Sequence, residues 1–354
     1  MKVLSLFDGM ACGMLAMQKA GLEVDEYIAY EIDKYAIQTA THNFPMIKEC
    51  GDVFKADFSQ YKDIDYILGG SPCTYWSIAQ KNNRETEASG LGWELFSQYV
   101  RAINEAKPKY FIYENNKSMS QAIRESISNT FGFEPICINS ALVSAQNRQR
   151  LYWVGKRNAD GTYSKVDVKQ PDDKGIVLRD ILESGEDLTS NEKAYTLTAS
   201  YNGAVAWNTI ERSQRNMVAE PLRIGTIENR LKNQSHDSKQ YRVYSPEGKA
   251  TTLCGNGGGV GAKTGLYAVP CNDDSKKYPV YEVKNGLITI KGKQYPIKLA
   301  DGYYVIRKLT VTECKRLQTV PDWYEFPVSN AQAYKMLGNG WTVDVIAHIL
   351  KGCV

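Results

Sequence analysis

The stretch KVLSLFDGMACGMLAMQKA, residues 2–20, decides the fold class of this protein. Its first five residues form a short apolar run typical of a buried strand, and residues 14–20 repeat apolar side chains with a helical period. The small residues between them, from Gly9 to Gly13, allow a tight turn in which the backbone closely approaches a ligand. The stretch therefore predicts a strand, a turn and a helix, the opening of a doubly wound α/β domain.

The same alternation continues to about residue 155, where short β-branched or aromatic runs alternate with helical patterns. That order is typical of a parallel sheet covered by helices. The predicted strands are 2–6, 26–30, 64–68, 110–113, 135–139 and 151–154. The predicted helices are 14–20, 34–43, 94–106 and 119–130, followed much later by 310–318 and 343–350. The two late helices indicate that the chain returns to the first domain at its end.

Composition narrows the class of protein. Hydrophobic residues make up 43% of the 354 residues and charged residues 23%, as in folded proteins and unlike disordered or fibrous chains. No apolar run approaches the roughly 18 residues that a membrane helix needs. The start of the chain reaches Asp8 too early for the apolar core of a secretory signal. We therefore expect a cytoplasmic protein without membrane contact.

The eight cysteines favour neither a disulfide framework nor a metal site. They are spread along the chain without a C-x-x-C pair, and only three histidines accompany them. Structural zinc sites usually draw on such closely spaced ligands, so no metal is expected. In a reducing compartment, most of these thiols are expected to be buried packing groups.

The middle of the chain is basic. Residues 193–308 carry 18 lysines and arginines against nine acidic residues, a net charge of +9, whereas the whole chain has only +3. From about residue 156 onward, turns, glycines and short β-like runs become frequent. We expect a second, smaller, β-rich domain whose charge suits nucleic acid, although a solvated lysine-rich surface has the same composition.

Two acidic residues, Glu31 and Asp52, lie between the predicted strands at 26–30 and 64–68. Glu31 lies directly after the second strand, where a carboxylate can hold ribose hydroxyl groups. Asp52, which follows Gly51, is expected to end a further strand, close to an adenine amino group. With the first turn, these residues indicate an adenosine-containing cofactor, and the alternative is an ordinary turn with surface acids.

A cysteine and a glutamate are predicted at the same edge of the sheet. Cys73 lies in the loop Gly-Gly-Ser-Pro-Cys after the strand at 64–68, and the rigidity of such a loop suits a nucleophile. Glu114 ends the next strand, so a general acid and a nucleophile are expected to meet there. Arg148 and Arg150 precede the last strand, where guanidinium groups can anchor a phosphate and lower the pKa of a nearby thiol.

In this order, the motifs resemble those of the DNA (cytosine-5) methyltransferase family. The matching segments are the F-x-G-x-x-x-G turn at 7–13, the Pro-Cys loop at 72–73, the Glu-Asn pair at 114–115, the Q-x-R-x-R run at 146–150, the segment at 307–322 and the Gly-Asn pair at 338–339. The resemblance covers about residues 1–155 and 307–350 and leaves the middle unmatched, where members of the family differ. Asp8, Thr74 and Asn116 depart from the residues usual in bacterial members.

The resemblance implies a Rossmann-like, S-adenosylmethionine-dependent methyltransferase domain that releases S-adenosylhomocysteine. It implies that Cys73 adds to C6 of a cytosine flipped out of the duplex, that Glu114 protonates or hydrogen-bonds N3, and that Arg148 and Arg150 hold the flipped nucleotide. The residues that match the family's cofactor site are Phe7, Gly9, Met10, Ala11, Gly13, Glu31, Ile32, Asp52, Val53, Pro72, Leu95, Asn339 and Gly340.

The expected organisation is a catalytic domain at 1–175, a target-recognition domain at 176–306 and a return to the catalytic domain at 307–354. The resemblance implies a monomer that acts on double-stranded DNA in a bacterial or phage-infected cell, with or without a companion restriction endonuclease. Two alternatives stay open. A transfer-RNA methyltransferase of the same family would have a trimmed middle segment. A non-catalytic DNA-binding protein would have lost Cys73, Glu114 or the arginines.

Overall fold

A computed structural model describes residues 1–72, 75–76, 84–183, 186–189, 191–221, 223–226, 242–244, 266–267 and 280–353. The chain separates into two compact units. The first unit comprises Met1–Val177, Thr196–Asn202 and Cys314–Val354, and the second comprises Leu178–Tyr195 and Gly203–Glu313. The sequence analysis expected domain boundaries after residues 175 and 306. It did not anticipate that Thr196–Asn202 belongs to the first unit.

The described part of the first unit is built around an eight-stranded sheet. Its order is β3-β2-β1-β4-β5-β7-β6, with β8 paired to β7. The strands are β1 (Lys2–Leu6), β2 (Glu26–Tyr30), β3 (Lys48–Glu49), β4 (Tyr66–Gly69), β5 (Tyr110–Asn116), β6 (Ile136–Asn139), β7 (Gln149–Arg157) and β8 (Tyr163–Lys165). The order reverses between β1 and β4, which is the switch point where doubly wound sheets bind ligands. The predicted fold class is confirmed.

One strand of this sheet runs against the others. The pairs from β3 through β5 are parallel, but β7 is antiparallel to both β5 and β6. The predicted parallel sheet therefore has an antiparallel exception at β7. Only residues 140–148 join β6 to β7, whereas a parallel crossover needs about a dozen residues or more.

The predicted helices are confirmed, with ends that differ by at most four residues. The helices are α1 (Cys12–Ala20), α2 (Lys34–Asn43), α3 (Gly90–Ala106), α4 (Gln121–Phe131), α5 (Leu178–Ile181), α6 (Ala206–Arg212), α7 (Val311–Leu317), α8 (Asn330–Asn339) and α9 (Val343–Cys353). Local capping explains several ends. The Asp33 carboxylate accepts a hydrogen bond from the Tyr35 amide at the start of α2, and Gly132 has a φ of 82° at the end of α4.

An aromatic core fixes α3 against the centre of the sheet. The ring of Tyr99 on α3 lies 4.9 Å from that of Tyr113 on β5, which in turn lies 5.8 Å from the ring of Trp153 on β7. The Tyr99 hydroxyl donates to the Ile67 and Ile112 carbonyl oxygens at 3.1 and 2.7 Å. Such rings each bury roughly 150–250 Å². This core holds β4 and β5, whose carboxyl ends lead into the candidate site.

The second unit is β-rich. Its described residues form a six-stranded sheet in the order β16-β15-β14-β17-β10-β9 and a three-stranded sheet in the order β11-β12-β13. The strands are β9 (Glu186–Asp187), β10 (Met217–Pro221), β11 (Arg223–Thr226), β12 (Arg242–Tyr244), β13 (Leu266–Tyr267), β14 (Val280–Lys284), β15 (Leu287–Ile290), β16 (Lys293–Pro296) and β17 (Gly302–Lys308). Among the described residues of both units, no helix has the length and apolar character to cross a lipid bilayer.

Candidate active site

A cleft of about 220 Å³ opens in the first unit at the carboxyl edge of the sheet. Its lining comes from the segments that follow β1, β2 and β4, from the end of β5, from residues at the start of β7 and from the end of α8 with the turn after it. Because neighbouring parallel strands end at one edge, the topology gathers residues that are far apart in sequence. The predicted site residues that line the cleft are Phe7, Gly9, Met10, Glu31, Pro72, Glu114, Arg148, Arg150, Asn339 and Gly340.

The turn after β1 has an unusual backbone and is tied to Glu31. Phe7 and Ala11 both have a φ of 58°, a left-handed conformation that is uncommon outside glycine and often marks functional turns. The amide of Gly9 donates to Glu31 Oε2 at 2.9 Å, and the amides of Ile32 and Asp33 donate to Oε1 at 2.8 Å. These hydrogen bonds fix the Glu31 carboxylate at the cleft. Its oxygens can still accept a further hydrogen bond from a hydroxyl group.

Asp8 is a buried acid at the base of the cleft. Its side chain is 9% exposed, and Oδ1 accepts hydrogen bonds from the Ser5 and Tyr27 hydroxyls. Burial raises the pKa of this carboxyl to about 6. The other oxygen, Oδ2, is buried and has no hydrogen-bond partner among the described residues. A cationic or N–H group in the cleft would supply the missing donor.

Glu114 is held at both carboxylate oxygens. Arg150 Nε lies 3.1 Å from Oε1, and Trp341 Nε1 donates to Oε2 at 3.0 Å. The Glu114 side chain is only 12% exposed. Gly70 lies so close to β5 that a Cβ there would stand 2.6 Å from the Glu114 carbonyl oxygen, so only glycine lets this loop pass the strand. A single orientation of the acid is therefore favoured.

The residue after Glu114 holds the loop that leads to Cys73. Asn115 is buried, and its Nδ2 donates to the Ser71 carbonyl oxygen at 3.2 Å. The Ser71 and Tyr113 hydroxyls are hydrogen-bonded at 2.6 Å. The end of β5 thus anchors the loop as far as Pro72. Cys73 itself lies outside the described residues.

The two predicted arginines have different surroundings. Arg150 lies in the cleft beside Glu114, whereas the Arg148 side chain is 3% exposed. The Arg148 guanidinium donates to the carbonyl oxygens of Leu197, Gly338 and Gly340 at 2.8–3.2 Å. The sequence predicts a phosphate anchor at both positions. In the structure, the Arg148 guanidinium contacts backbone carbonyl oxygens of two chain segments.

Several predicted cofactor residues do not line the cleft. Gly13 lies inside α1 where a Cβ would stand 2.5 Å from the Tyr27 hydroxyl, so this glycine permits close packing of α1 on β2. Asp52 lies beyond the end of β3, and its carboxylate caps the turn at Val53–Lys55. The others are Ala11, which is buried at the start of α1, Ile32, which is 76% exposed, and Val53 and Leu95, which pack in or against the core.

The cleft also contains residues that the motifs did not indicate. Trp341 and Lys335 come from the end of the chain, and Cys12 comes from the start of α1. Burial raises the pKa of the Cys12 thiol to about 12, so this cysteine stays protonated. Trp341 directly follows the Gly-Asn-Gly segment, and that adjacency was its only signal in the sequence.

Comparisons with known proteins identify the family of this chain. The family described as C-5 cytosine-specific DNA methylase matches residues 1–354. The chain is 26% identical to the orphan methyltransferase M.SPRI of Bacillus phage SPR, over 99% of this chain and 97% of that protein. It is also 26% identical to the type II methyltransferase M.HhaI of Haemophilus parahaemolyticus, over 99% of this chain and 93% of that protein.

Two solved structures are similar in fold. One is a mutant of DNMT2 from Spodoptera frugiperda, with a TM-score of 0.58, 16% identity and coverage of 99% of both chains. The other is the Entamoeba histolytica methyltransferase EhMeth, with a TM-score of 0.59, 13% identity and coverage of 99% of this chain and 97% of that chain. Since the family match spans the whole sequence, this protein belongs to the C-5 cytosine-specific DNA methylase family.

Proposed function

We propose that this enzyme methylates C5 of a cytosine that has been flipped out of duplex DNA, through a temporary bond between Cys73 and C6. The observation that carries the proposal is the placement of Glu114, which is held at both carboxylate oxygens in a cleft next to the Pro-Cys loop. A carboxyl group in that position can donate a proton to a ring nitrogen. The proposed substrate, a cytosine in DNA, is taken from the description of the family.

The chemistry explains why an acid and a thiol are needed together. C5 of cytosine is a poor nucleophile. When the Cys73 thiolate adds to C6 and Glu114 gives a proton to N3, C5 becomes an enamine carbon that can accept a methyl group. After methyl transfer, loss of the C5 proton to solvent breaks the C6–S bond and returns the electron pair to Cys73. N3 gives its proton back to Glu114, which restores both the ring and the acid.

The cleft fits S-adenosylmethionine. When bound, this cofactor supplies an electrophilic methyl group. Glu31 has capacity to accept a ribose hydroxyl, and the partnerless Oδ2 of Asp8 offers a buried acceptor for a cationic ammonium group. The turn from Phe7 to Met10 lines the same cleft and brings the backbone close to the ligand.

The second unit is proposed to recognise the DNA target. Most of the basic residues 193–308 belong to it. In its described part, Arg212 and Lys291 both contact the ring of Trp207, at 4.7 and 4.6 Å from the ring centroid. Arg230 and the glycine-rich run at 255–261 also belong to the basic segment, but they lie outside the described residues.

The alternatives are less well supported. The family description specifies DNA, so a transfer-RNA substrate is not favoured. A binding protein without activity has no need for a carboxyl group held as Glu114 is. The chain also retains Cys73 and both arginines.

The proposal is tested by expression in a bacterial host that lacks DNA methylation, followed by bisulfite sequencing of the host DNA. We expect cytosine methylation within one short sequence in cells that carry the natural protein, and none with the Glu114→Gln variant. Unmethylated DNA in cells that contain folded, cofactor-binding protein would contradict the proposed activity.

A further inference from the structure

A tryptophan at the far end of the chain contacts the proposed acid. Trp341 lies between α8 and α9, 227 residues after Glu114, and its Nε1 donates to Glu114 Oε2 at 3.0 Å. An indole N–H only donates hydrogen bonds, and a carboxylate oxygen only accepts them. Trp341 is therefore the donor and Glu114 the acceptor. Trp341 also lines the cleft.

The position of Trp341 is fixed from several sides. The buried Arg148 guanidinium holds the Gly338 and Gly340 carbonyl oxygens just before it, and Gln318 Nε2 donates to the Leu337 carbonyl at 2.6 Å. These contacts fix the backbone immediately before Trp341.

The second carboxylate oxygen is held independently. Arg150 Nε contacts Oε1 at 3.1 Å, so each oxygen of Glu114 has one donor of its own. A carboxylate has about four lone-pair sites. Two of them are therefore taken by Trp341 and Arg150, and those that remain are available to a group in the cleft. The plane of the carboxyl group is set before any base enters.

We propose that Trp341 is a positioning residue for the methyl-transfer reaction, whose indole N–H orients the Glu114 carboxyl group toward N3 of the flipped cytosine. This role rests on the proposed function of Glu114 as the proton donor. Preorganised donors of this kind remove the need to reorient the acid during the reaction.

The test compares two ways of removing the N–H in the full-length enzyme. Trp341→Phe removes both the N–H and part of the ring, whereas replacement of Trp341 by 3-benzothienylalanine exchanges the N–H for sulfur and keeps the shape of the indole. Trp323→Phe is the matched control, because Trp323 is 54% exposed and packs on Phe44. Single-turnover methyl transfer and KM are measured on duplex DNA that contains the sequence methylated in the host.

We expect the single-turnover rate of methyl transfer to fall about 10- to 100-fold in both N–H-free enzymes, with KM for DNA and for S-adenosylmethionine changed less than twofold, since one orienting contact is lost. In the Glu114→Gln background, Trp341→Phe should cause no comparable further loss, because Trp341 acts through the carboxyl group. Trp323→Phe should match the natural enzyme.

Three results would overturn this role. The first is a benzothienylalanine enzyme as fast as the natural one, which would leave only a requirement for ring shape. The second is an equal loss from Trp341→Phe with and without Glu114, and the third is a change in KM alone. An inactive natural enzyme would contradict the proposed function and this role together, whereas an active natural enzyme with unaffected variants would contradict only the role of Trp341.

Discussion

At the scale of single residues, the thiol of Cys73 is expected to be indispensable. Cys73→Ala should abolish methyl transfer and leave cofactor binding intact, because no other nucleophile would add to C6. The natural enzyme should form a covalent adduct with DNA that contains 5-fluorocytosine, since fluorine blocks the loss of the C5 proton, and a denaturing gel detects the adduct. Cys353→Ala is the control, because burial raises the pKa of that thiol to about 12.

The acid at the end of β5 makes a second residue-scale prediction. Glu114→Gln should slow single-turnover transfer by roughly 10²–10⁴-fold, since an amide has no proton to give to N3. Glu134→Gln, which alters an exposed carboxylate paired with Arg124, should keep the natural rate. Transfer by Glu114→Gln at a near-natural rate would mean that another group donates the proton.

Asp8 makes stability depend on pH. Burial raises its pKa from 3.8 to about 6, so the folded state binds more protons than the unfolded state between these values. The contribution of this group to stability therefore falls as pH rises through 6. The loss amounts to about 1 kcal/mol between pH 5 and 7.5.

Urea unfolding at pH 5 and pH 7.5 measures whether the free energy of unfolding falls between these two values. Asp8→Asn cannot ionise, so we expect the variant to lose less stability than the natural protein between pH 5 and 7.5. Asp63→Asn, at an exposed position, should leave the pH dependence as it is. A steeper loss in Asp8→Asn would contradict the assigned direction.

At the scale of elements, the packing of α1 on β2 depends on Gly13. A Cβ at this position would meet the Tyr27 hydroxyl at 2.5 Å, and that hydroxyl donates to Asp8. Gly13→Ala is expected to destabilise the fold by about 1–3 kcal/mol, as overpacking does.

A second helical glycine provides the matched comparison. A Cβ at Gly352 in α9 would come no closer than 3.8 Å to the methyl groups of Val168. Gly352→Ala should therefore be neutral or stabilising by at most about 1 kcal/mol, because alanine favours the helix. Thermal unfolding of both variants measures the difference, and equal melting temperatures would rule out the close approach at Gly13.

At the scale of the whole molecule, the basic second unit is expected to supply salt-dependent attraction for DNA. Arg212→Gln and Lys291→Gln should each reduce the slope of log K against log salt by about one unit if the side chain contacts a phosphate. Lys62→Gln, in the first unit, is the control. Unchanged slopes for both variants, together with a reduced slope for Lys62→Gln, would indicate that the first unit, and not the second, contacts the DNA phosphates.

The sequence by itself predicted six of the eight strands in the first unit's sheet, six helices and the edge at which the candidate site lies. Apolar periodicity is a local property, so it predicted β1, β2 and α2 with their observed ends. The positions of Glu31 and Glu114 also followed, because residues after adjacent parallel strands share one edge of the sheet. The order of motifs was enough to indicate the family.

Only the tertiary structure decided what individual side chains do within that frame. Arg148 and Arg150 are two residues apart and chemically alike, yet one is buried against backbone carbonyls and the other faces Glu114. The contact between Trp341 and Glu114 joins residues 227 positions apart, and the burial that raises the pKa of Asp8 depends on how the first unit packs. Hydrogen-bond partners and burial are set by packing between distant segments, and no local pattern in the chain records them.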